Sequence, residues 1–278
     1  MINDPDFVLK SGFFLQALHM NNKAVVTHIV NWLTAYCEKS RMNGFVIGIS
    51  GGIDSALTST LCALTGKQVI CLNMPIHQHK AEYDRGQQHI QWLKSNYSNI
   101  TSSEVELTQP FDSISKAFPL EIQDRLTMAN TRARLRMTTL YAFASHHKLL
   151  VAGTGNKIED FGIGFFTKYG DGGVDVSPIA DLMKSEVYTL AKELGVVDSI
   201  QQAAPTDGLF ADGRSDEDQI GATYNELEWV MNFIATKQDP AALNARQKEV
   251  MAIYQQRHAA NLHKIEPIPV CIIPKELK

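Results

Sequence analysis

The sequence lacks several features that would assign it to a class at once. No apolar run approaches the roughly 20 residues that a membrane-spanning helix needs. The first ten residues, MINDPDFVLK, carry acids where a signal peptide has a basic start and an apolar core. We therefore expect a cytoplasmic protein without a membrane partner. The formal net charge of −4 also gives no sign of the basic surface that nucleic acids attract.

Cysteine is scarce as well. The four cysteines, Cys37, Cys62, Cys71 and Cys271, form no Cys-x-x-Cys pair, and three of them lie in apolar surroundings. This pattern indicates reduced thiols, most of them in the core, rather than disulfides or a metal site.

What the sequence does contain is an alternation of strand and helix patterns. The predicted strands are 45–50, 67–74, 103–108 and 148–154, and the predicted helices are 23–40, 53–66, 80–97, 123–147, 181–194, 215–236 and 239–262. This order favours an α/β fold with a doubly wound, mainly parallel sheet, helices on both faces and extra C-terminal helices. We expect residues 1–278 to form a single domain, with a proline-rich tail that is not a regular helix.

The stretch GISGGIDS, residues 48–55, puts glycines, hydroxyls and an acid between a predicted strand and a predicted helix. Glycines let the backbone approach a phosphate, and the first N–H groups of a helix are unpaired. Asp54 would repel a phosphate unless Mg²⁺ lay between them; its alternative role is to cap the helix. The stretch is neither a Gly-Lys-Ser/Thr phosphate loop nor a Gly-x-Gly-x-x-Gly fingerprint.

Two further segments carry candidate site residues. In NTRARLRM, residues 130–137, three arginines lie two residues apart, so they point in different directions around a helix. Some of them would then point into the protein or across an interface, the alternative being an exposed basic helix. In VAGTGNKIED, residues 151–160, Thr154 and Glu159 lie at the carboxyl end of a predicted strand, as Ser50 and Asp54 do. Glu159 could complete a Mg²⁺ shell or be a first-turn acid favoured by the helix dipole.

The segment GFFTKYGDGGVDVSPIADLMK, residues 164–184, combines glycines, aromatics and two lysines. Its glycines suggest mobility and its aromatics could cover a ring. We expect a loop that closes over a substrate and excludes water, the alternative being an ordinary surface loop.

Taken in order, these segments resemble bacterial NAD synthetases, a family within the ATP pyrophosphatase superfamily. SGGIDS is similar to the pyrophosphate loop of that superfamily, and GFFTKYGDGG is typical of the family. Further matches are APTDGL at 204–209, DEDQIGATYNELE at 216–228 and the pair at 263–264. The resemblance implies an adenine nucleotide alpha hydrolase-like fold. It also implies ATP-dependent amidation of deamido-NAD with ammonia, giving NAD, AMP and pyrophosphate.

The resemblance also implies roles for matching positions. The expected ATP-binding residues are Gly48, Ile49, Ser50, Gly51, Gly52, Ile53, Asp54, Ser55, Thr154, Lys184 and Thr206. Asp54 and Glu159 are expected to hold Mg²⁺. The expected deamido-NAD contacts are Arg134, Lys168, Asp175, His263 and Lys264. The expected catalytic residues are Asp54, Lys184 and Asp175, the last as acceptor of a proton from ammonium. The family is homodimeric, with the dinucleotide at the subunit interface.

Three departures from the family pattern stand out. Arg132 replaces a common Gln or Lys, the stretch DFGI after Glu159 is one residue longer than in some relatives, and 83–92 lacks the expected acid-rich pattern. These departures concern substrate preference more than the chemistry.

Several features of the sequence bear on alternative functions. Roughly 45 residues precede the loop, too few for a glutaminase domain, so free ammonia is the expected nitrogen donor. The alternative acceptor is nicotinate mononucleotide. A tRNA-modifying pyrophosphatase would need reactive cysteines and a basic surface. A non-catalytic nucleotide sensor would not need Asp54, Glu159 and Lys184 together.

Overall fold

The computed structural model describes residues 20–203 and 215–278. The strands are β1 (Gly44–Gly48), β2 (Gln68–Asn73), β3 (Ile100–Glu104) and β4 (Leu149–Val151). The helices are α1 (Asn22–Lys39), α2 (Ile53–Leu64), α3 (Lys80–Asn96), α4 (Thr108–Ala117), α5 (Arg125–His147), α6 (Lys184–Glu193), α7 (Asp198–Gln201), α8 (Asp216–Ile220), α9 (Tyr224–Ala235) and α10 (Ala245–Ile265). A π-helix spans Ile158–Ile163, and short 3-10 turns span Leu120–Ile122, Pro240–Ala242 and Lys275–Leu277.

The four strands form one parallel sheet in the order β3-β2-β1-β4. Both faces of the sheet are buried, as helices on both sides require. Phe45 and Ile47 of β1 belong to a core shared with α1, α2 and α6, whereas Val46 belongs to a core shared with α4 and α5. This arrangement confirms the predicted doubly wound α/β fold.

A third apolar core lies outside the sheet layers. It joins the π-helix to α8, α9 and α10, with Ile158, Leu227, Trp229 and Val250 among its buried side chains. The predicted extra C-terminal helices are therefore packed on the segment that follows β4. This packing brings α8 and α9 to the carboxyl end of the sheet.

Some predicted boundaries were wrong. The third strand lies at Ile100–Glu104 rather than 103–108, because it is a sheet edge with mostly polar, partly exposed residues and no apolar run to mark it. Helix α4, which directly follows, was missed. The predicted helix 215–236 is divided at Gly221, whose φ of +87° ends α8 in the left-handed region.

The tail after α10 is exposed and is not a regular helix, as its prolines predicted, although a 3-10 turn forms at Lys275–Leu277. All four cysteines are free thiols, and Cys37, Cys62 and Cys71 are buried, which agrees with the predicted core thiols. Within residues 20–203 and 215–278, no helix is both long and apolar enough to cross a membrane.

Candidate active site

The stretch between β1 and α2 forms a tight loop at the carboxyl end of the sheet. Gly51 has a φ of +86°, which favours glycine. The Ser50 and Ser55 hydroxyl oxygens lie 3.1 Å apart, and the Gly52 N–H donates to Ser50 Oγ at 3.1 Å. Gly52 is the N-cap of α2 and supplies no side chain to its first amides. Hydrogen bonds of its own serine hydroxyls therefore hold the loop together. The first backbone N–H groups of α2 have no side-chain cap and can bind an anion.

Asp54 does not cap α2. Its carboxylate accepts from Asn156 Nδ2 at 3.1 Å and from Lys184 Nζ at 2.5 Å. Lys184 Nζ also donates to Glu159 Oε1 at 3.1 Å, and the same oxygen accepts from the Tyr224 hydroxyl at 2.6 Å. Both carboxylates thus converge on one point, as the sequence predicted from their places after β1 and β4.

Lys184 is the cation at the centre of this cluster, and its side chain is only 4% exposed. Burial opposes its charge, but Asp54 and Glu159 outweigh burial and hold the pKa of Lys184 well above its ordinary value. Its ammonium also lies 4.7 Å from the centre of the Tyr224 ring. The lysine therefore lies between two acids that favour its charged form.

Glu159 owes its position to the π-helix Ile158–Ile163. A π turn closes i→i+5 rather than i→i+4 and so takes one residue more. That geometry fits the extra residue noted in DFGI. The buried Asn156 fixes the start of the turn, since its Oδ1 accepts from the amides of Ile158 and Glu159 at 3.1 and 3.2 Å.

Asn156 also links the two acids, because its amide nitrogen donates to Asp54 while its oxygen holds the turn that carries Glu159. Asn156 and Tyr224 contact the acids of this cluster and were missed by the sequence analysis. Both lie inside motifs quoted for the family, and both motifs also contain acids. A side chain that can donate a hydrogen bond within such a motif was the available signal.

One cleft joins these parts. Its lining includes every residue from Gly48 to Ser55, together with Thr154, Glu159 and Lys184. Most of the predicted ATP and metal residues are therefore brought together at the carboxyl ends of β1 and β4, the switch point of the sheet. Thr206 lies outside the described residues.

Four of the predicted deamido-NAD residues gather elsewhere, around the loop 164–173. Arg134 Nη2 donates to the carbonyl of Lys168 at 3.4 Å, and Lys168 Nζ donates to the carbonyl of His263. Lys264 Nζ donates to the carbonyl of Phe166 at 2.7 Å and lies 5.0 Å from the centre of its ring. These side chains make a basic group next to the cleft.

The three arginines of α5 have different surroundings, as the fanned spacing predicted. Arg132 lies over the Phe111 ring at 4.9 Å, Arg134 contacts the 164–173 loop, and Arg136 lines the cleft while its Nε donates to the Met74 carbonyl at 3.1 Å.

Asp175 is placed differently from the other candidates. Its carboxylate accepts from the Tyr141 hydroxyl at 3.0 Å and from the Val151 amide at 2.8 Å, and it is not among the residues that line the cleft. In the described residues it acts as a link between β4, α5 and the following loop.

The glycines of the 164–173 loop serve close packing. A Cβ at Gly172 would lie 2.4 Å from the Phe166 ring, and one at Gly170 would lie 2.9 Å from Thr167. Of the three loop aromatics, only Tyr169 is largely exposed, at 53%. Phe165 packs against the third core. The glycines are therefore needed for a compact turn, whereas closure over a substrate stays a prediction.

The fold and the cleft are those of an α/β enzyme that binds a nucleotide at the switch point of a parallel sheet. A family model described as NAD synthase matches residues 25–267, and the chain belongs to this family. The family's members are ligases that form a C–N bond.

The curated relatives agree. The chain is 39% identical over 201 residues to the NH(3)-dependent NAD(+) synthetase of Mycoplasma genitalium, covering 71% of this chain and 78% of the relative. It is 33% identical over 258 residues to that of Carboxydothermus hydrogenoformans, covering 91% and 100%.

Two solved structures are similar over most of their length. An NMN synthetase from Francisella tularensis matches with a TM-score of 0.77 and 32% identity, covering 92% of this chain and 99% of that one. An NH3-dependent NAD synthetase from Campylobacter jejuni matches with a TM-score of 0.75 and 26% identity, covering 91% and 100%.

Proposed function

We propose that this chain amidates deamido-NAD with ammonia at the expense of ATP, giving NAD, AMP and pyrophosphate. The observation that carries the proposal is the convergence of Asp54, Glu159 and Lys184 beside a phosphate loop. The family and the names of the curated relatives supply the substrates. We also propose a cytoplasmic location, since ATP is a substrate and the thiols are free.

The chemistry has two steps. The nicotinate carboxylate attacks the α-phosphorus of ATP, and pyrophosphate leaves as the acyl-adenylate forms. Ammonia then attacks the acyl carbon, AMP leaves, and a proton is released. The loop from Gly48 to Ser55 and the start of α2 offer donors for the leaving pyrophosphate, and Lys184 offers a fixed positive charge.

The donor set fits Mg²⁺. The carboxylates of Asp54 and Glu159 contact one ammonium, and the buried Asp216 lies 3.4 Å from the Tyr224 hydroxyl, so the cluster holds more acids than cations. Within the described residues, no group of three His, Cys, Asp or Glu side chains is arranged to hold a metal by itself. Asp54 and Glu159 would hold the ion and phosphate oxygens would complete its shell, where it would neutralise phosphate charge.

The basic group around the 164–173 loop supports a dinucleotide acceptor. Arg134, Lys168 and Lys264 place three cations beside the cleft, and cations of this kind bind the pyrophosphate of a dinucleotide. We propose that deamido-NAD lies here and that the chain forms a homodimer around it. Static light scattering that gives a monomer at working concentration would contradict the dimer.

The test measures AMP and pyrophosphate release from ATP with Mg²⁺ and ammonium, with product mass determined. Deamido-NAD and nicotinate mononucleotide are offered in parallel, and glutamine replaces ammonium in a third arm. We expect NAD with deamido-NAD and ammonium. Equal turnover with glutamine, together with its hydrolysis, would overturn the choice of nitrogen donor.

Nicotinate mononucleotide is the second candidate acceptor, because one similar solved structure is an NMN synthetase. That similarity extends over 92% of this chain and so concerns the fold as a whole. A preference for the mononucleotide in the parallel assay would keep the two-step chemistry and change the acceptor.

Asp54 provides a variant test of the same proposal. We expect Asp54→Asn to lower the rate of AMP release by about 100-fold or more, because the carboxylate contacts Lys184 and would hold the metal. Asp198→Asn, an exposed acid at the start of α7, is the matched control and should leave the rate unchanged. Undiminished turnover in Asp54→Asn would remove Asp54 from the mechanism.

A further inference from the structure

Helix α3 lies directly against the phosphate loop. A Cβ on Gly51 would come within 2.4 Å of the Glu82 carbonyl oxygen and 3.2 Å of the Gly86 amide nitrogen. Just before α3, the Gln78 side-chain amide donates to the carbonyl of Ser50 at 3.2 Å. The loop and the first turns of α3 therefore form one packed unit, and side chains on this face of α3 point to the place where phosphates would bind.

Arg85 is the cation on that face. Its Nε donates to the Gly51 carbonyl at 3.3 Å, and its side chain lines the cleft together with the phosphate loop. A guanidinium has five N–H donors, and this bond uses one of them. Within residues 20–203 and 215–278, the donors at Nη1 and Nη2 form no hydrogen bond or ion pair. They are therefore available to a ligand.

The other cations of the cleft have different positions. Lys184 is bonded to Asp54 and Glu159, and the Nε of Arg136 is bonded to the Met74 carbonyl. Arg85 alone among these three is anchored on the loop itself. An acid, Glu82, also lines this part of the cleft, but it forms no ion pair with Arg85 in the described part of the chain.

We propose that Arg85 binds the β- and γ-phosphates of ATP and then the pyrophosphate that leaves. A planar guanidinium binds two phosphate oxygens side by side, and the bond from Nε to Gly51 holds that plane next to the loop. Arg85 faces the phosphates from the α3 side, and Lys184 faces them from the α6 side. The proposal deepens the proposed function and rests on it for the identity of the nucleotide.

The proposal also accounts for a departure in the sequence. Residues 83–92 lack the acid-rich pattern expected in the family, and Arg85 lies within this stretch. Instead of acids, this helix contributes a positive side chain at a position that contacts the phosphate loop. The residue was missed by sequence analysis because its contact with Gly51 joins segments 34 residues apart.

The test is equilibrium binding by calorimetry of three ligands, inorganic pyrophosphate, ATP and AMP, each with Mg²⁺ and without any acceptor. The variants are Arg85→Gln and Arg85→Lys, with Lys94→Gln as a matched control, since Lys94 is an exposed cation on the same helix. We expect Arg85→Gln to lower the affinity for pyrophosphate and for ATP by about 10- to 100-fold. AMP should bind as it does to the unmodified chain, and Arg85→Lys should lose less than Arg85→Gln.

Each outcome decides the matter. Pyrophosphate that binds Arg85→Gln as tightly as the unmodified chain would overturn the proposal. An equal loss for AMP would also overturn it, because Arg85 would then only hold the loop together. If Arg85→Gln does not fold, as judged by circular dichroism, Arg85→Lys carries the test, and an unchanged pyrophosphate affinity would overturn the proposal. Loss of pyrophosphate binding in a chain that makes no NAD would support Arg85 while refuting the proposed function.

Discussion

At the scale of single residues, the cluster around Lys184 depends on uncharged neighbours as much as on its acids. Tyr224 is 4% exposed, and its hydroxyl donates to Glu159 while its ring lies below the lysine ammonium. Asn156 is fully buried and joins Asp54 to the turn that carries Glu159. These two residues fix the direction in which each carboxylate points.

The role of the Tyr224 hydroxyl can be tested with Tyr224→Phe, which keeps the ring. Glu159 then loses its closest donor, at 2.6 Å, and we expect kcat to fall by about 10-fold and the Mg²⁺ concentration for half-maximal rate to rise. Tyr254→Phe is the matched control, a similarly buried tyrosine on α10, and should change neither value. An unchanged Mg²⁺ requirement in Tyr224→Phe would show that the hydroxyl does not position Glu159.

The extent of prediction differs between these residues for a physical reason. Gly51 and Asp54 could be predicted because their roles follow from a local pattern, a strand, a turn and a helix start. Tyr224 and Arg85 could not, because each acts through a contact made only when distant segments fold together. Asp175 shows the opposite case: its bonds to Tyr141 and Val151 could not be foreseen from its place in a conspicuous motif.

At the scale of elements, the important contact is between α3, the phosphate loop and α2. Gly51 permits the close approach of α3, and the buried His89 of α3 bonds to Ser59 of α2, with Nε2 and Oγ 2.9 Å apart. A polar contact on one side and a glycine contact on the other thus hold α3 at the edge of the cleft.

Gly51→Ala should separate the effect of the close approach of α3 from the ordinary strain of a positive φ. The new Cβ would meet the Glu82 carbonyl at 2.4 Å, so α3 must move, and we expect ATP to bind at least about 10-fold more weakly. Gly66→Ala is the control: its φ is also positive, at +70°, but a Cβ there has open space. It should cost about 1 kcal/mol of unfolding free energy and leave ATP binding intact. Equal effects of the two changes on binding would contradict this account.

The buried His89 of α3 makes the stability of the folded chain depend on pH. Burial lowers its pKa to about 4, below the ordinary value of 6.5. Between these two values the unfolded chain binds the proton and the folded chain does not. Titration of His89 therefore leaves the free energy of unfolding unchanged above about pH 6.5. As the pH falls from there towards 4, the unfolded chain takes up the proton and the free energy of unfolding decreases by about 3 kcal/mol.

The measurement is denaturant unfolding between pH 4 and 7 for the unmodified chain and for His89→Gln, which keeps a polar side chain beside Ser59. The slope of unfolding free energy against pH should be smaller in the variant by the contribution of this one group. Parallel slopes would mean that His89 titrates normally in the folded chain.

Prediction also differed among the elements. Strands β1, β2 and β4 were predicted because they are buried on both faces and read as apolar runs. The edge strand β3 was misplaced because only part of it is buried, and α4 was missed because it has only 10 residues and Pro110 lies in its first turn. The division of 215–236 does have a local signal that was overlooked, since Gly221 ends α8 and Thr223 forms a capping box with Glu226 at the start of α9.

At the scale of the whole molecule, two apolar cores cover the two faces of the sheet and a third joins the C-terminal helices to the π-helix. The cysteines report on this arrangement. Cys37, Cys62 and Cys71 belong to the core between the sheet and α1, α2 and α6, and Cys271 lies on the exposed tail.

Thiol labelling should therefore proceed in two phases. Cys271 should react at once, while burial raises the pKa of Cys71 to about 12 and protects all three core thiols until the chain unfolds. The check is a thiol reagent with mass readout, with Cys271→Ser as the control that removes the fast phase alone. Rapid labelling of more than one site in the folded chain would contradict the buried positions.

The distance in sequence between Asp54 and Lys184 has a consequence for how the protein is made. The two residues are 130 positions apart, and Tyr224 comes later still. A chain emerging from the ribosome completes its phosphate loop early, but the acids beside it gain their lysine only after most of the sequence has been synthesised. The sheet must also wait, since Gly44 of β1 pairs with Leu149 of β4, which is synthesised much later. Nucleotide binding should therefore appear late and all at once during synthesis, at the point where the last helices become free to dock.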